Sequence, residues 1–406
     1  MDIEFSSRME ALPEYIFGKL NAAKMKRRRA GEDIIDLGMG NPNDPPPDPI
    51  IDKLVEAVQI PRNHRYSVSA DGIRNLKREV GRFYRREYDV DIDHENEVVV
   101  TIGSKEGLSH LALVMVEEGD TALVPTPAFP PHIYSIVLAG GRVVEVPLST
   151  EPEFFDRLDQ KVPELKPKPK LLILNFPHNP TAVTVELEFF ERAVRFARRH
   201  GIAIIQDFAY GGITFDGYRA PSFLQVPGAR EVGVEFSSMS KSFNMAGWRI
   251  GYCVGNRKMV DGLAGIKGYY DYGLFMPMQI AAIIGLRDCM REVRHQAAIY
   301  QARRDALCDG LGRAGWHVER PKGTMFVWAP VPEEFEQAGS VEFCFRMLEE
   351  ANVAIAPGAA FGDAGEGYVR MALVENKKRL QQAARQIGRV LRGRRRAVQP
   401  AQGNDH

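Results

Sequence analysis

The residues of this chain best suited to chemistry are a lysine flanked by hydroxyls and an arginine eight positions further on. The segment reads Ser238-Met239-Ser240-Lys241, then Ser242-Phe243-Asn244-Met245-Ala246-Gly247-Trp248-Arg249. A lysine attacks a carbonyl only as the neutral amine, and an ordinary pKa of about 10.4 keeps it protonated near neutrality. Burial and nearby positive charge lower that value, so an apolar pocket shared with an arginine suits a lysine that condenses with an aldehyde. Hydroxyls and a planar guanidinium are the donors that a phosphate ester requires. On its own, S-x-S-K reads as a serine-rich loop with a solvated lysine. The neighbouring loops decide between the two.

Asp207 ends the apolar run Ile202-Ala203-Ile204-Ile205-Gln206. A carboxylate at a buried strand tip either caps the next helix or holds a proton on a pyridinium nitrogen. Asn179, in Asn175-Phe176-Pro177-His178-Asn179-Pro180-Thr181, is placed to donate to a phenolate oxygen that Tyr210 could share, although N-P alone marks a turn. Gly103-Ser104-Lys105-Glu106-Gly107 is a small-residue turn before a helix, either an ordinary cap or a phosphate site at the positive end of the dipole. Phe129 offers a face for stacking on a flat ring; alone it reads as core. Arg370, inside Tyr368-Val369-Arg370-Met371-Ala372, needs a carboxylate or another partner to offset its burial, in a structural salt bridge or from a substrate. An aldehyde, a phosphate and a ring nitrogen on one molecule describe pyridoxal phosphate.

These loops must be positioned by a sheet. Apolar strands at Glu97–Thr101, Thr121–Val124, Arg142–Val146, Leu171–Asn175, Ala203–Gln206, Val232–Phe236 and Gly251–Val254 alternate with helical patterns such as Glu106–Val116 and Glu188–His200. That alternation predicts a mostly parallel, seven-stranded α/β sheet covered by helices, with ligands at the carboxyl ends of its strands. After residue 285 a long helical stretch leads to strands at Trp316–Val318, Met325–Trp328, Val353–Ala356 and Val369–Ala372, with helices at about 340–351 and 376–392. The expected organisation is an N-terminal segment 1–45, with a helix from Pro13 to Arg29, packing with a small α+β domain 286–391. A large domain spans 46–285, and a disordered basic tail spans 392–406.

The 406 residues carry 53 basic and 53 acidic side chains, so no net charge points to nucleic acid or an anionic membrane. Cys253, Cys289, Cys308 and Cys344 lie far apart without a C-x-x-C pair, as in a reduced cytoplasmic protein. No apolar run reaches the length of a membrane span, and the acidic start Met1-Asp2-Ile3-Glu4 lacks a secretory h-region. No metal site is expected.

The chain resembles the class I and II aminotransferases, the fold-type-I pyridoxal-phosphate enzymes, from about Arg8 to Leu391. Ser238 to Tyr252 carries the likeness most specifically. Leu12-Pro13-Glu14-Tyr15-Ile16-Phe17, Met39-Gly40-Asn41-Pro42, Thr101 to Gly107 and Asp271-Tyr272-Gly273 are similar to the alanine (glutamate–pyruvate) group. Ala182, where many relatives have glycine, is shared with that group; Phe129 stands where tyrosine is commoner. The resemblance implies that Lys241 carries the cofactor and shuttles the proton, and that Asp207 pairs with the ring nitrogen. It implies that Asn179 and Tyr210 bind the phenolate, that Ser104, Lys105, Ser238, Ser240 and Arg249 hold the phosphate, and that Phe129 stacks. Arg370 would take the substrate carboxylate, Gly40 and Tyr15 would line the mouth, and Tyr66 would reach the phosphate of a second subunit in a homodimer.

The implied reaction passes an amino group between an amino acid and a 2-oxo acid, with L-alanine and 2-oxoglutarate preferred. Aspartate, methionine, aromatic or diaminopimelate donors on the same scaffold are the alternatives, and a carbon–sulfur lyase is a different class. A regulator would need a helix-turn-helix module, and a dinucleotide-binding protein a G-x-G-x-x-G after its first strand; neither pattern is present.

Overall fold

The computed structural model describes residues 3–14 and 16–398, without the side chains of 394–398. Its twelve strands are β1 (Ile35–Asp36), β2 (Val98–Thr101), β3 (Thr121–Thr126), β4 (Arg142–Pro147), β5 (Leu171–Asn175), β6 (Ala203–Asp207), β7 (Gly233–Ser238), β8 (Gly251–Gly255), β9 (Phe326–Pro330), β10 (Val353–Ala354), β11 (Ala356–Pro357) and β12 (Tyr368–Ala372). Seven form one sheet in the order β2-β8-β7-β6-β5-β3-β4. All its pairings are parallel except those of β8, which runs antiparallel to both β2 and β7.

The central strands of this sheet are largely apolar because both faces are covered, whereas the edge strand β4 leaves Arg142, Glu145 and Pro147 exposed. Leu123, Leu172, Leu174 and Ile204 enter one core. Their neighbours Ala122, Val124, Leu171, Ile173 and Ile205 enter the core on the other face. Period-two alternation thus separates two apolar cores rather than core from water.

A third core gathers the C-terminal half: β9 and β12 residues with Tyr300, Leu307, Phe343, Leu380 and Ile387. There β11, β12 and β9 form an antiparallel sheet, and β1 pairs in parallel with β10, carrying the N-terminal segment onto this part of the molecule. The helix Met290–Arg313 and the final helix Lys377–Val398 cover it.

Four expectations need correction. Trp316–Val318 forms no strand. The helix before it stops at Ala314 and Gly315 takes φ 83°, after which the Trp316 indole donates to the Pro330 carbonyl at 3.0 Å and packs edge-on to Phe343. The first long helix starts at Ile16, not Pro13. Val353–Ala356 is two short strands on either side of Ile355. Residues 392–398, placed in a disordered tail, continue the last helix, whose buried residues include Leu380, Ile387 and Leu391; 399–406 lie outside the described residues. No helix among the described residues is long and apolar enough to cross a membrane.

Candidate active site

The site forms where β2, β5, β6 and β7 end and β8 begins. Thr101, Gly251 and Ser238 are register partners across this edge. Ser238 ends β7 in extended conformation, and its hydroxyl accepts from the Ser240 N–H at 3.1 Å, capping the single turn Met239–Ser242. That turn carries Lys241, whose Nζ donates to the Gly40 carbonyl at 2.6 Å. Burial lowers the Lys241 pKa to about 8, helped by the positive charges of Arg370 and Arg249 and opposed by Asp207. The amine is therefore much nearer to neutral at physiological pH than an exposed lysine.

Beside it, Arg249 adopts φ 56°, a left-handed conformation that costs a non-glycine residue about 1–2 kcal/mol. Its guanidinium donates to Ser240 Oγ at 3.3 Å and to the Ala246 carbonyl at 3.0 Å, and reaches the Ile102 carbonyl at 3.5 Å. Ser238 Oγ donates to Ser240 Oγ at 2.9 Å. The helix Gly103–Met115 begins against this group, with Ser104 half-buried and Lys105 exposed. Gly103 takes φ +73°, and a side chain there would strike the Arg249 guanidinium. At Gly251 a Cβ would lie 2.8 Å from Gly103 C and Ser104 N. Two glycines thus let a helix N-terminus, two serines and an arginine approach one another, an arrangement that suits an anion.

On the other side, Asp207 is 5% exposed at the tip of β6. Its Oδ2 lies 3.0 Å from His132 Nε2, and its Oδ1 accepts from the Ala209 N–H at 3.2 Å. Asn175 fixes the surroundings: its amide donates to the Asp207 carbonyl at 2.8 Å and accepts from the Asn179 N–H at 2.9 Å. The Phe129 ring stands edge-on to His132 at 5.5 Å. His178, also buried, has its pKa lowered to about 3 by burial and by His132, so it stays neutral. Burial raises the Tyr210 pKa, with Arg370 pulling the other way.

Arg370 projects from β12. It donates to Asn179 Oδ1 at 2.7 Å and to the Gly38 carbonyl at 3.3 Å, and its guanidinium lies 4.0 Å from the Phe326 and 4.6 Å from the Phe361 ring centroid. Aromatic faces and carbonyls offset part of the burial cost of this charge.

Lys241, Asp207, Asn179, Tyr210, Ser238, Ser240, Arg249, Arg370, Gly40 and the Ser104 turn thus converge. Tyr66 stands apart, 86% exposed, with its ring 5.8 Å from that of Tyr272. Tyr15 lies outside the described residues. Sequence reasoning missed His132 and Asn175. The one available signal was that His132 follows Phe129 by three residues at the start of a helix, and that Asn175 ends β5 as Asp207 ends β6. A buried amine of lowered pKa, an anion cradle held open by glycines and a buried carboxylate together fit a planar aldehyde that carries a phosphate and a basic ring nitrogen.

The family model described as aminotransferase class I and II matches residues 32–387. The chain is 51% identical to the glutamate-pyruvate aminotransferase AlaC of Escherichia coli strain K12, over 95% of this chain and 93% of that protein. It is 43% identical to the LL-diaminopimelate aminotransferase of Moorella thermoacetica, over 95% and 97%. Among solved structures, substrate-bound BacF from Bacillus subtilis superposes with a TM-score of 0.90 at 36% identity, covering 96% of this chain and 98% of that one.

Proposed function

Because the chain belongs to the class I and II aminotransferases, we propose that it moves an amino group between L-alanine and 2-oxoglutarate, giving pyruvate and L-glutamate. Transamination and dependence on pyridoxal phosphate come with the family. The likeness to the glutamate-pyruvate aminotransferase is the single observation that carries the choice of substrates.

Pyridoxal phosphate, when bound, supplies the aldehyde that receives the amino nitrogen and a ring that accepts electron density from the substrate Cα. The chain does the rest. Arg370 binds the substrate α-carboxylate through paired N–H donors and fixes where Cα lies. Lys241, its pKa lowered to about 8, is the base that takes the Cα proton and returns it on the other side of the exchange. Asp207 keeps a proton on the ring nitrogen, with His132 orienting its carboxylate. Asn179 and Tyr210 hold the phenolate oxygen, and Phe129 covers the ring. Ser104, Lys105, Ser238, Ser240 and Arg249 anchor the phosphate. Gly40, whose carbonyl accepts from Lys241 Nζ, lines the mouth.

A second copy completes the reading. Tyr66 and Val68, two residues apart, are 86% and 83% exposed, and the Tyr66 ring meets that of Tyr272, itself 47% exposed, an apolar surface suited to cover by a second copy. In a homodimer Tyr66 would reach the partner's phosphate. The four buried, unpaired cysteines suit a reducing, cytoplasmic compartment.

One observation favours a second donor: relatives of comparable coverage are LL-diaminopimelate aminotransferases. A donor-by-acceptor screen of the purified protein separates the two. Pyruvate formed from L-alanine and 2-oxoglutarate, at kcat/KM above that for LL-diaminopimelate, supports the proposal; the reverse order contradicts it.

A further inference from the structure

We infer that Glu106, Lys267 and Asp271 are positioning residues for the cofactor phosphate, locking the Ile102–Lys105 turn and tying it to the loop that supports Tyr66. This rests on the reading of that turn as part of the phosphate cradle.

Lys267 has a fully buried side chain. Its Nζ lies 3.3 and 3.5 Å from the two oxygens of Glu106 and 3.0 and 2.9 Å from those of Asp271. His110 Nδ1, one helical turn after Glu106, is 2.5 Å from Glu106 Oε1. Two carboxylates and an imidazole at this spacing resemble a cation site, and the ammonium of Lys267 fills it.

The cluster acts on the turn through Glu106, whose Oε2 accepts from the Ile102 N–H at 2.6 Å. The Ile102 carbonyl, on the other side of the same residue, faces Arg249 Nη2 at 3.5 Å. Ile102 is thereby gripped from both sides, and the helix N-terminus that begins at Gly103 is aimed at the space Arg249 and the serines surround. Lys267 holds Glu106 to this task, because a carboxylate buried without its counter-ion would turn outward.

At its other end the cluster shapes a second loop. Asp271 Oδ1 accepts from the Gly273 N–H at 2.8 Å, and the Lys267 carbonyl accepts from the Tyr272 N–H at 2.8 Å. Tyr272 and Gly273 both take positive φ, and a Cβ at Gly273 would lie 3.1 Å from the Ser69 carbonyl. This loop backs the segment that carries Tyr66, whose ring meets that of Tyr272. One ammonium therefore sets both the turn that holds a subunit's own phosphate and the support of the tyrosine offered to its partner.

The test is titration of the full chain, stripped of cofactor, with pyridoxal phosphate and with pyridoxal, which lacks the phosphate. Glu106→Ala should weaken binding of pyridoxal phosphate at least about tenfold and leave pyridoxal within about twofold. Glu106→Gln keeps an acceptor for the Ile102 N–H and should lose less. Asp271→Asn, on the partly exposed partner, should show the same selectivity if Glu106→Ala does not fold. Equal weakening of both ligands would mean a general structural role and overturn the inference, as would unchanged affinity for pyridoxal phosphate. Wild type that fails to prefer pyridoxal phosphate over pyridoxal would instead sink the cradle reading itself, and the inference with it.

Discussion

Arg370 Nη1 donates to Asn179 Oδ1 at 2.7 Å, joining β12 of the small sheet to the loop after β5. Arginine has no acceptor, so the amide oxygen must be the atom that faces it. The Asn179 NH2 is thereby left to act as a donor. The residue read as the carboxylate anchor also orients the residue read as the phenolate donor, across 191 positions of sequence.

Substitution of the arginine should show both roles. Arg370→Gln is expected to raise KM for the amino donor about 100-fold or more, since a buried bidentate pair is lost. Cofactor affinity should fall by less, because only the orientation of Asn179 is released. Steady-state kinetics with cofactor titration measures both; an unchanged KM would contradict the assignment.

Asp207→Asn should lower kcat by about 100- to 1,000-fold with little change in KM, as removal of a preorganised charge does. His132→Asn, which keeps the fold but loses the ring 3.0 Å from Asp207 Oδ2, should lower kcat by less and in the same direction. If His132→Asn costs more than Asp207→Asn, the histidine does not act through the aspartate.

The Lys241 pKa of about 8 carries a stability cost with a definite pH window. Below pH 8 the folded, cofactor-free chain holds a buried charge that the unfolded chain leaves in water. The unfolded chain keeps that proton up to about pH 10.4, so stability rises with pH between about 8 and 10.4, and the cost is gone above it. Lys241→Met should therefore raise the melting temperature of the cofactor-free protein at pH 7 by about 2–4 °C. The gain should shrink as pH climbs towards 10. Thermal melts across this range check the sign.

Gly251→Ala pushes a methyl to within 2.8 Å of Gly103 C and Ser104 N, and backbone cannot give way as a flexible side chain does. Affinity for pyridoxal phosphate should fall at least about tenfold while far-ultraviolet dichroism stays unchanged. Retained affinity would show that the turn is free to shift.

Much of this site was legible because its residues sit at strand tips, where an apolar run stops at a residue able to do chemistry. Asp207 after Ile202–Gln206 and Lys241 after the hydroxyls of β7 are of this kind. Arg370 was visible as a charge inside a strand built for burial. The segments of the main sheet were readable as well, each within a few residues of its observed bounds. What stayed hidden depends on contacts between distant positions. Lys267 meets Glu106 across 161 residues, and no local period announces it. Histidine 132 acquires meaning only when β3 and β6 are placed in one sheet. The run Trp316-His317-Val318 looked like a strand because its apolar and polar residues alternate, yet only Trp316 is buried. Its indole is satisfied by one carbonyl of β9 rather than by a ladder.

The most direct test is borohydride reduction of the protein loaded with pyridoxal phosphate, followed by proteolysis and peptide mass mapping. The reduced phosphopyridoxyl adduct is expected on Lys241, within the peptide that contains Ser238 and Ser240. An adduct on another lysine, such as Lys105 or Lys267, or no adduct at all, would contradict the account.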